Sequence, residues 1–326
     1  MTVYYIVLFL LQIEMELKRL EFTLTRRCNS QCIHCQADAS PLRKGVMQVK
    51  DAHNYLKEAT AVSDLESFMI FGGEPMLYPK RTTAIFNKAR QFEIPKIDMI
   101  TNGVWGKNKA TAEELARKLK AAGLNRVNIS VDAFHIQYIP LEYPMNAALT
   151  LLKAGIEDIK WNVALIESTN ATNKYDKKTA QILKTLQPIG IEAHTFKIVP
   201  AGRAIQNLRQ YFQPTSLHGP CEEEPLEGNM LTDPESITIE PSGSANICWN
   251  LPIGNAKSVP LKQLITEYDW RRTPITRILV EEGPTGLLKL PEARGYQFQE
   301  EQYINKCHMC TEIRKTLKLH YPNAYS

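Results

Sequence analysis

Residues 19–35 read RLEFTLTRRCNSQCIHC. The stretch opens as a strand and closes as a ligand-bearing loop. RLEFTLT (19–25) has the apolar and β-branched content of a strand, and Cys28, Cys32 and Cys35 follow it at C-x3-C-x2-C spacing. The next cysteine is Cys221, so this loop gathers three soft ligands and stops one short of a closed metal site. Structural cysteine sites are closed by four ligands, whereas reactive metal sites keep a position open. A loop just past a strand end, with sulfurs at i, i+4 and i+7, can wrap them around one cubane and leave one iron for an exogenous ligand. A zinc site borrowing His34, or three unrelated thiols, also fits the triplet taken alone.

Working outward, strand-like runs alternate with helix-like ones. The strands expected after RLEFTLT are SFMIF (67–71), KIDMI (96–100), RVNISV (126–131), WNVALI (161–166) and IEAHTFKIV (191–199). Between them lie QVKDAHNYLKEA, RTTAIFNKARQF, ATAEELARKLKAAG (110–123), NAALTLLKAG and KKTAQILKTL, each with apolar residues at helical spacing. In the third of these, Thr111 and Glu114 form a capping-box pair and Gly123 ends the helix. Strand–helix units repeating at roughly 30-residue intervals predict a parallel α/β architecture. Six units are too few for a closed eight-stranded barrel and suit a curved, partly open one. After residue 212 prolines and turn signals multiply (HGPCEEEP, DPES, EPSGS, NLPIGN), with short strand-like pieces ESITIEP and ANICWN and a helix over about 306–320. The expected organisation is an extension over 1–18, a core barrel over 19–212 and a smaller, loop-rich, cysteine-containing domain over 213–326.

The bulk numbers narrow the function classes. A charge of +4 on 326 residues implies neither a nucleic-acid footprint nor a membrane-binding patch. VYYIVLFLLQI (3–13) is too short to span a bilayer and lacks the basic region and cleavage site of a signal peptide. It reads as an apolar segment packed on the domain, or as upstream translation with Met15 as the start, and the protein is expected to be cytoplasmic. Seven cysteines without a secretory signal favour metal or cluster ligation over disulfides. Their split into Cys28, Cys32 and Cys35 against Cys221, Cys248, Cys307 and Cys310 suggests two sites.

The ends of the expected strands carry the remaining chemistry: FGGEP (71–75), TNGVWG (101–106), SVDAFH (130–135), ALIES (164–168) and VPAGRA (199–204). In parallel α/β folds function gathers at the carboxyl ends of strands. Gly72 and Gly73 let backbone approach a ligand closely, and the Glu74 carboxylate can meet an ammonium group.

On these residues, the three cysteines after the first strand and GGE after the second, with TNG and VPAGRA in support, the chain resembles the radical SAM superfamily over about 19–204. The resemblance implies a partial (β/α)6 TIM-like barrel in which Cys28, Cys32 and Cys35 hold a catalytic 4Fe–4S cluster. The open iron would chelate the amino and carboxylate groups of S-adenosylmethionine (SAM). Gly72, Gly73 and Glu74 would lie along the methionine amino group, Asn102 nearby, and Ser130 and Asp132 where ribose contacts are usual. The residue before the third cysteine, often aromatic in the family and stacked near adenine, is here His34. The implied chemistry is reductive cleavage of SAM to a 5′-deoxyadenosyl radical, which removes hydrogen from an unactivated C–H bond. An electron donor such as ferredoxin or flavodoxin is implied with it.

The later cysteines close with KCHMC. Four thiolates suit either a fully ligated second cluster or a structural zinc. The pattern resembles the shortened auxiliary-cluster (twitch, SPASM-like) domain that follows many radical SAM barrels, which implies an auxiliary 4Fe–4S cluster on Cys221, Cys248, Cys307 and Cys310. TNGVWG, SVDAFH and the terminal CHMC are also reminiscent of radical SAM peptide epimerases. Those enzymes use a donor thiol expected near Cys248, where Trp249 stands instead. Three functions are carried forward: modification of a peptide or protein by epimerisation, crosslinking or oxidation; action on a small metabolite such as a sugar or nucleoside; and an electron carrier or sensor without turnover. Among the other polar residues, His135 is weighed as a turn cap against a catalytic group, and Arg203 as a tie between barrel and second domain. Trp105 and Trp249 are expected to pack.

Overall fold

A computed structural model describes residues 15–221 and 230–320; the apolar run 3–13 and part of HGPCEEEP lie outside the described residues. All six expected strands form: β1 (Arg19–Thr25), β2 (Ser67–Gly72), β3 (Lys96–Thr101), β4 (Arg126–Ser130), β5 (Asp158–Leu165) and β6 (Ala193–Lys197). They pair in parallel in chain order, from Arg19 opposite Ser67 round to Leu165 opposite Lys197. Helices α1 (Val49–Thr60), α2 (Pro79–Gln91), α3 (Lys109–Ala121), α4 (Glu142–Lys153) and α5 (Lys174–Leu186) return the chain between them, and α6 (Arg203–Leu208) follows β6. The architecture is α/β, a parallel partial barrel.

Alternation along the strands explains why the barrel is hollow. In β1, Leu20, Phe22 and Leu24 are fully buried in the apolar core, while Glu21 and Thr23 line an inner cavity. In β3 and β5, Ile97, Met99, Trp161 and Val163 are buried, while Asp98, Lys160 and Asn162 line the lumen. Parallel sheets covered on both faces usually read as continuous apolar runs. Here the outer face packs on helices through residues such as Phe86, Ala116 and Leu151, and the inner face carries polar groups that keep space open.

The cap on α3 differs from the expected capping box. Asn108 caps the helix, its Oδ1 accepting from the Thr111 backbone N–H at 3.1 Å, and Glu114 pairs with Lys118 on the surface. Asn108 lies at the position whose side chain reaches N3, which Thr111 occupies.

Beyond β6 the sheet continues. β7 (Ser236–Ile239) pairs in parallel with β1, and β8 (Ser244–Cys248) and β9 (Leu251–Asn255) extend it antiparallel, giving one nine-stranded sheet among the described residues. NLPIGN, expected as a turn, is therefore mostly strand. Pro252 is tolerated there because β9 is an edge strand, where a missing N–H costs little. Helices α7 (Leu261–Thr266), α8 (Pro274–Glu281) and α9 (Lys306–His320) complete the chain, the last over the expected range. No helix among the described residues is long and apolar enough to cross a membrane.

Candidate active site

The cysteine loop is fixed from several sides. Cys28 N–H donates to the Ser40 carbonyl, Ser40 N–H to the Arg26 carbonyl, and Cys35 N–H to the Cys32 carbonyl. Arg203, at the exit of β6, supplies the strongest clamp. Its Nε donates to the Cys32 carbonyl at 2.9 Å, Nη2 to the Ala39 carbonyl at 2.7 Å and Nη1 to Asp38 Oδ1 at 2.7 Å. Its backbone N–H donates to the Cys35 carbonyl as well. Gly202 permits this approach: at φ +55° a Cβ would stand 2.3 Å from the Gln36 carbonyl oxygen. Arg203 thus ties the barrel's last strand to the cysteine loop, not the barrel to the C-terminal part.

Cys28, Cys32 and Cys35 line one cavity of about 290 Å3 with Gly72, Gly73, Asn102, Ser130, His34 and His135. Burial pushes the Cys28 thiol up to about 11, against a backbone hydrogen bond from Ser30, and pushes Cys32 higher still. Thiolates are the ligating form, so this buried set is unfavourable to ionise alone and suited to a cationic centre that replaces the protons. Asn102 Nδ2 donates to Asn29 Oδ1 at 3.0 Å and points to Cys28 Sγ at 3.7 Å. Gly72 and Gly73 bring bare backbone to the same wall. A Cβ on Gly73 would lie 2.1 Å from the Arg27 carbonyl oxygen, and one on Gly72 2.4 Å from that of Thr25.

Two acids expected at the ligand lie behind the wall. Glu74 is fully buried, with Oε1 accepting from Met76 N–H (2.9 Å) and the Thr101 hydroxyl (2.7 Å), and Oε2 from Asn102 N–H (2.7 Å). Burial raises its pKa against those bonds. Its side chain shapes the β3 turn that presents Asn102. Asp132 is also fully buried: Oδ1 accepts from Phe134 N–H, His135 N–H and His135 Nδ1, and Oδ2 from Ala164 N–H. Burial would raise its pKa, but the His135 charge and hydrogen bond outweigh that and bring it down to about 2. Asp132, not His135, caps the turn after β4, and His135 is the side chain that reaches the cavity.

His34 packs 4.6 Å from the Phe134 ring centroid and 4.9 Å from that of His135. Burial lowers it to about 3, so the imidazole is neutral, and its Nδ1 has no hydrogen-bond partner within the protein. Ligand atoms of His34, Asp132 and His135 lie within 4.8 Å of one another. Because four N–H donors already engage the Asp132 carboxylate, the group is an oriented Asp–His pair rather than a vacant cation site.

The later cysteines also draw together. Cys248 ends β8, and Cys307 and Cys310 stand one turn apart in α9. Burial raises the Cys248 thiol to about 11, Arg314 opposes the rise, and Cys310 and Cys307 add to it. Cys221 N–H donates to the Leu279 carbonyl, and Lys306 Nζ to the Pro220 carbonyl at 2.8 Å, which ties the Cys221 segment to the head of α9. A second cavity of about 210 Å3 lies against Cys248 and shares Ala37, Phe71, Gly72 and Trp249 with the first. Trp249 is 37% exposed between them and lines both rather than packing in the core. Trp105 packs as expected, its Nε1 donating to Thr101 Oγ1.

Residues 22–170 match the family model described as the radical SAM superfamily. That stretch, just under half of the chain, is a radical SAM domain. A GTP 3′,8-cyclase of Clostridium acetobutylicum is 26% identical over 196 residues, covering 56% of this chain and 57% of that protein. A probable GTP 3′,8-cyclase of Methanocaldococcus jannaschii is 30% identical over 120 residues, covering 37% and 38%. The putative peptide biosynthesis protein YydG of Bacillus subtilis is 24% identical over 195 residues, covering 59% and 58%. The chain therefore spans less than two thirds of these curated relatives. Among solved structures, native anSMEcpe with bound AdoMet and Cp18Cys peptide superposes with a TM-score of 0.52 at 13% identity, over 93% of this chain and 96% of that one. At that identity the likeness shows a shared fold alone.

Sequence reasoning did not find the clamp role of Arg203, the position of Trp249 or the contacts of Arg314. VPAGRA signalled the first only as a motif; the other two carry no local signal.

Proposed function

We propose that this radical SAM protein cleaves SAM reductively and abstracts hydrogen from a peptide substrate. The observation that carries the proposal is the convergence of three cysteines and the bare Gly72–Gly73 backbone on one cavity. Cys28, Cys32 and Cys35 would hold a 4Fe–4S cluster. Gly72, Gly73, Asn102 and Ser130 would contact SAM, while Glu74 and Asp132 act from behind by fixing the Asn102 and His135 segments. When bound, cluster and SAM together supply a 5′-deoxyadenosyl radical. The chain's own work is to orient: Arg203 holds the cluster loop, and His34 offers a neutral ring and a free Nδ1 to the ligand. Cys221, Cys248, Cys307 and Cys310 would hold an auxiliary 4Fe–4S cluster, and a ferredoxin- or flavodoxin-like donor would deliver electrons.

Likeness to a protein named for peptide biosynthesis supports the peptide reading. Likeness to GTP 3′,8-cyclases favours a second reading, a small metabolite such as a nucleotide. The test is anaerobic incubation of reconstituted protein with SAM, reductant and either a short peptide encoded beside the gene or GTP. Release of 5′-deoxyadenosine with a modified peptide is expected. Modified GTP instead would establish the second reading. No 5′-deoxyadenosine with either would leave an electron carrier or sensor. Running the peptide reaction in heavy water separates outcomes: epimerisation incorporates deuterium at Cα, whereas crosslinking and oxidation lose hydrogen.

A further inference from the structure

Arg314 is an interior arginine, 4% exposed on α9. One turn separates it from Cys310, so both face the same side of the helix. Its Nε donates to Cys310 Sγ at 3.1 Å, Nη2 to the Trp249 carbonyl at 2.8 Å, and Nη1 to the Asn250 carbonyl. One rigid guanidinium therefore touches a cysteine sulfur and the backbone of Trp249, the residue that lines both cavities. The planar fork makes this possible; a lysine ammonium could not satisfy three diverging acceptors in one plane. Arg314 also lies near enough to Cys248 to oppose the burial-driven rise of that thiol.

We propose that Arg314 is the positioning residue that sets the reduction potential of the C-terminal cysteine site and locks that site to the Trp249 wall of the SAM cavity. The ligand concerned is an iron–sulfur cluster, so the inference rests on the auxiliary-cluster reading above. Reduction places an added electron on iron and sulfur, and N–H donors to sulfur stabilise the added charge. A buried guanidinium on Cys310 therefore favours the reduced form. The same side chain fixes the loop that follows Cys248, so a change at the cluster ligands reaches Trp249 through two hydrogen bonds.

The experiment isolates the second site in the full chain with Cys28, Cys32 and Cys35 replaced by Ala. Iron analysis and EPR of the reconstituted protein come first. A redox titration followed by EPR then compares Arg314, Arg314→Gln and Arg314→Lys in that background. The expected result is a 4Fe–4S signal whose midpoint moves to lower potential in Arg314→Gln, with Arg314→Lys between the two. Absence of any cluster in the parent would overturn the auxiliary-cluster reading and this inference with it. A cluster whose midpoint is the same in all three proteins would overturn this inference alone. Should Arg314→Gln fail to fold, Arg314→Met keeps an apolar stem without charge or N–H donors, and an unshifted midpoint there overturns the proposal.

Discussion

Asp132 shows how a single side chain can organise a site it does not enter. Its carboxylate collects three backbone N–H groups and the His135 ring, and its pKa falls to about 2. A folded-state pKa below the unfolded value near 3.9 means the stabilisation is complete above about pH 4 and drains as pH falls through about 2. Asp132→Asn is therefore expected to lose about 3 kcal/mol at neutral pH, from the shift at about 1.4 kcal/mol per unit. The gap to the unsubstituted chain should close between about pH 4 and pH 2. Urea unfolding of the metal-free proteins across that range checks it, and a pH-independent gap would assign the effect to shape rather than charge.

At the scale of elements, the caps and strand exits matter most. Asn108 satisfies an orphan N–H of α3 that the expected Thr111 cap does not. Asn108→Ala should cost about 1 kcal/mol, whereas Thr111→Ala should stay within about 0.5 kcal/mol. Equilibrium denaturation of the two variants discriminates between the caps; equal losses would restore the capping box. The strand runs were readable because apolar residues recur every second position on the outer face. The cap was not legible in the same way, because both Asn and Thr are good N-caps and the backbone alone decides which one stands outside the helix.

Across the whole molecule, one sheet joins the barrel to the C-terminal part. Arg19–Phe22 of β1 pair on one side with β2 and on the other with Ser236–Ile239 of β7. Removing residues 213–326 would bare that edge of β1, and an unprotected edge is a template for association. A fragment ending at residue 212 is expected to elute as soluble aggregate rather than monomer in size-exclusion chromatography. A monodisperse monomer would mean that the barrel folds independently and that β7 is an addition to it.

Local order was written in the sequence: strand and helix periodicity, the sulfur triplet, and the small residues at the ends of strands each depend on neighbours a few positions apart. The open cysteine set of 28–35 was legible for that reason. What tertiary structure decided depends on groups far apart in the chain. Arg203 reaches back to Cys32 and Ala39, Arg314 to Trp249 and Asn250, and Glu74 to Thr101 and Asn102. Whether a carboxylate at a strand end faces a ligand or the backbone behind it is settled by which unpaired N–H groups the folded turns leave within its reach. In Glu74 and Asp132 those donors took the carboxylates inward, and left glycine backbone, Asn102 and two histidines to face the cavity.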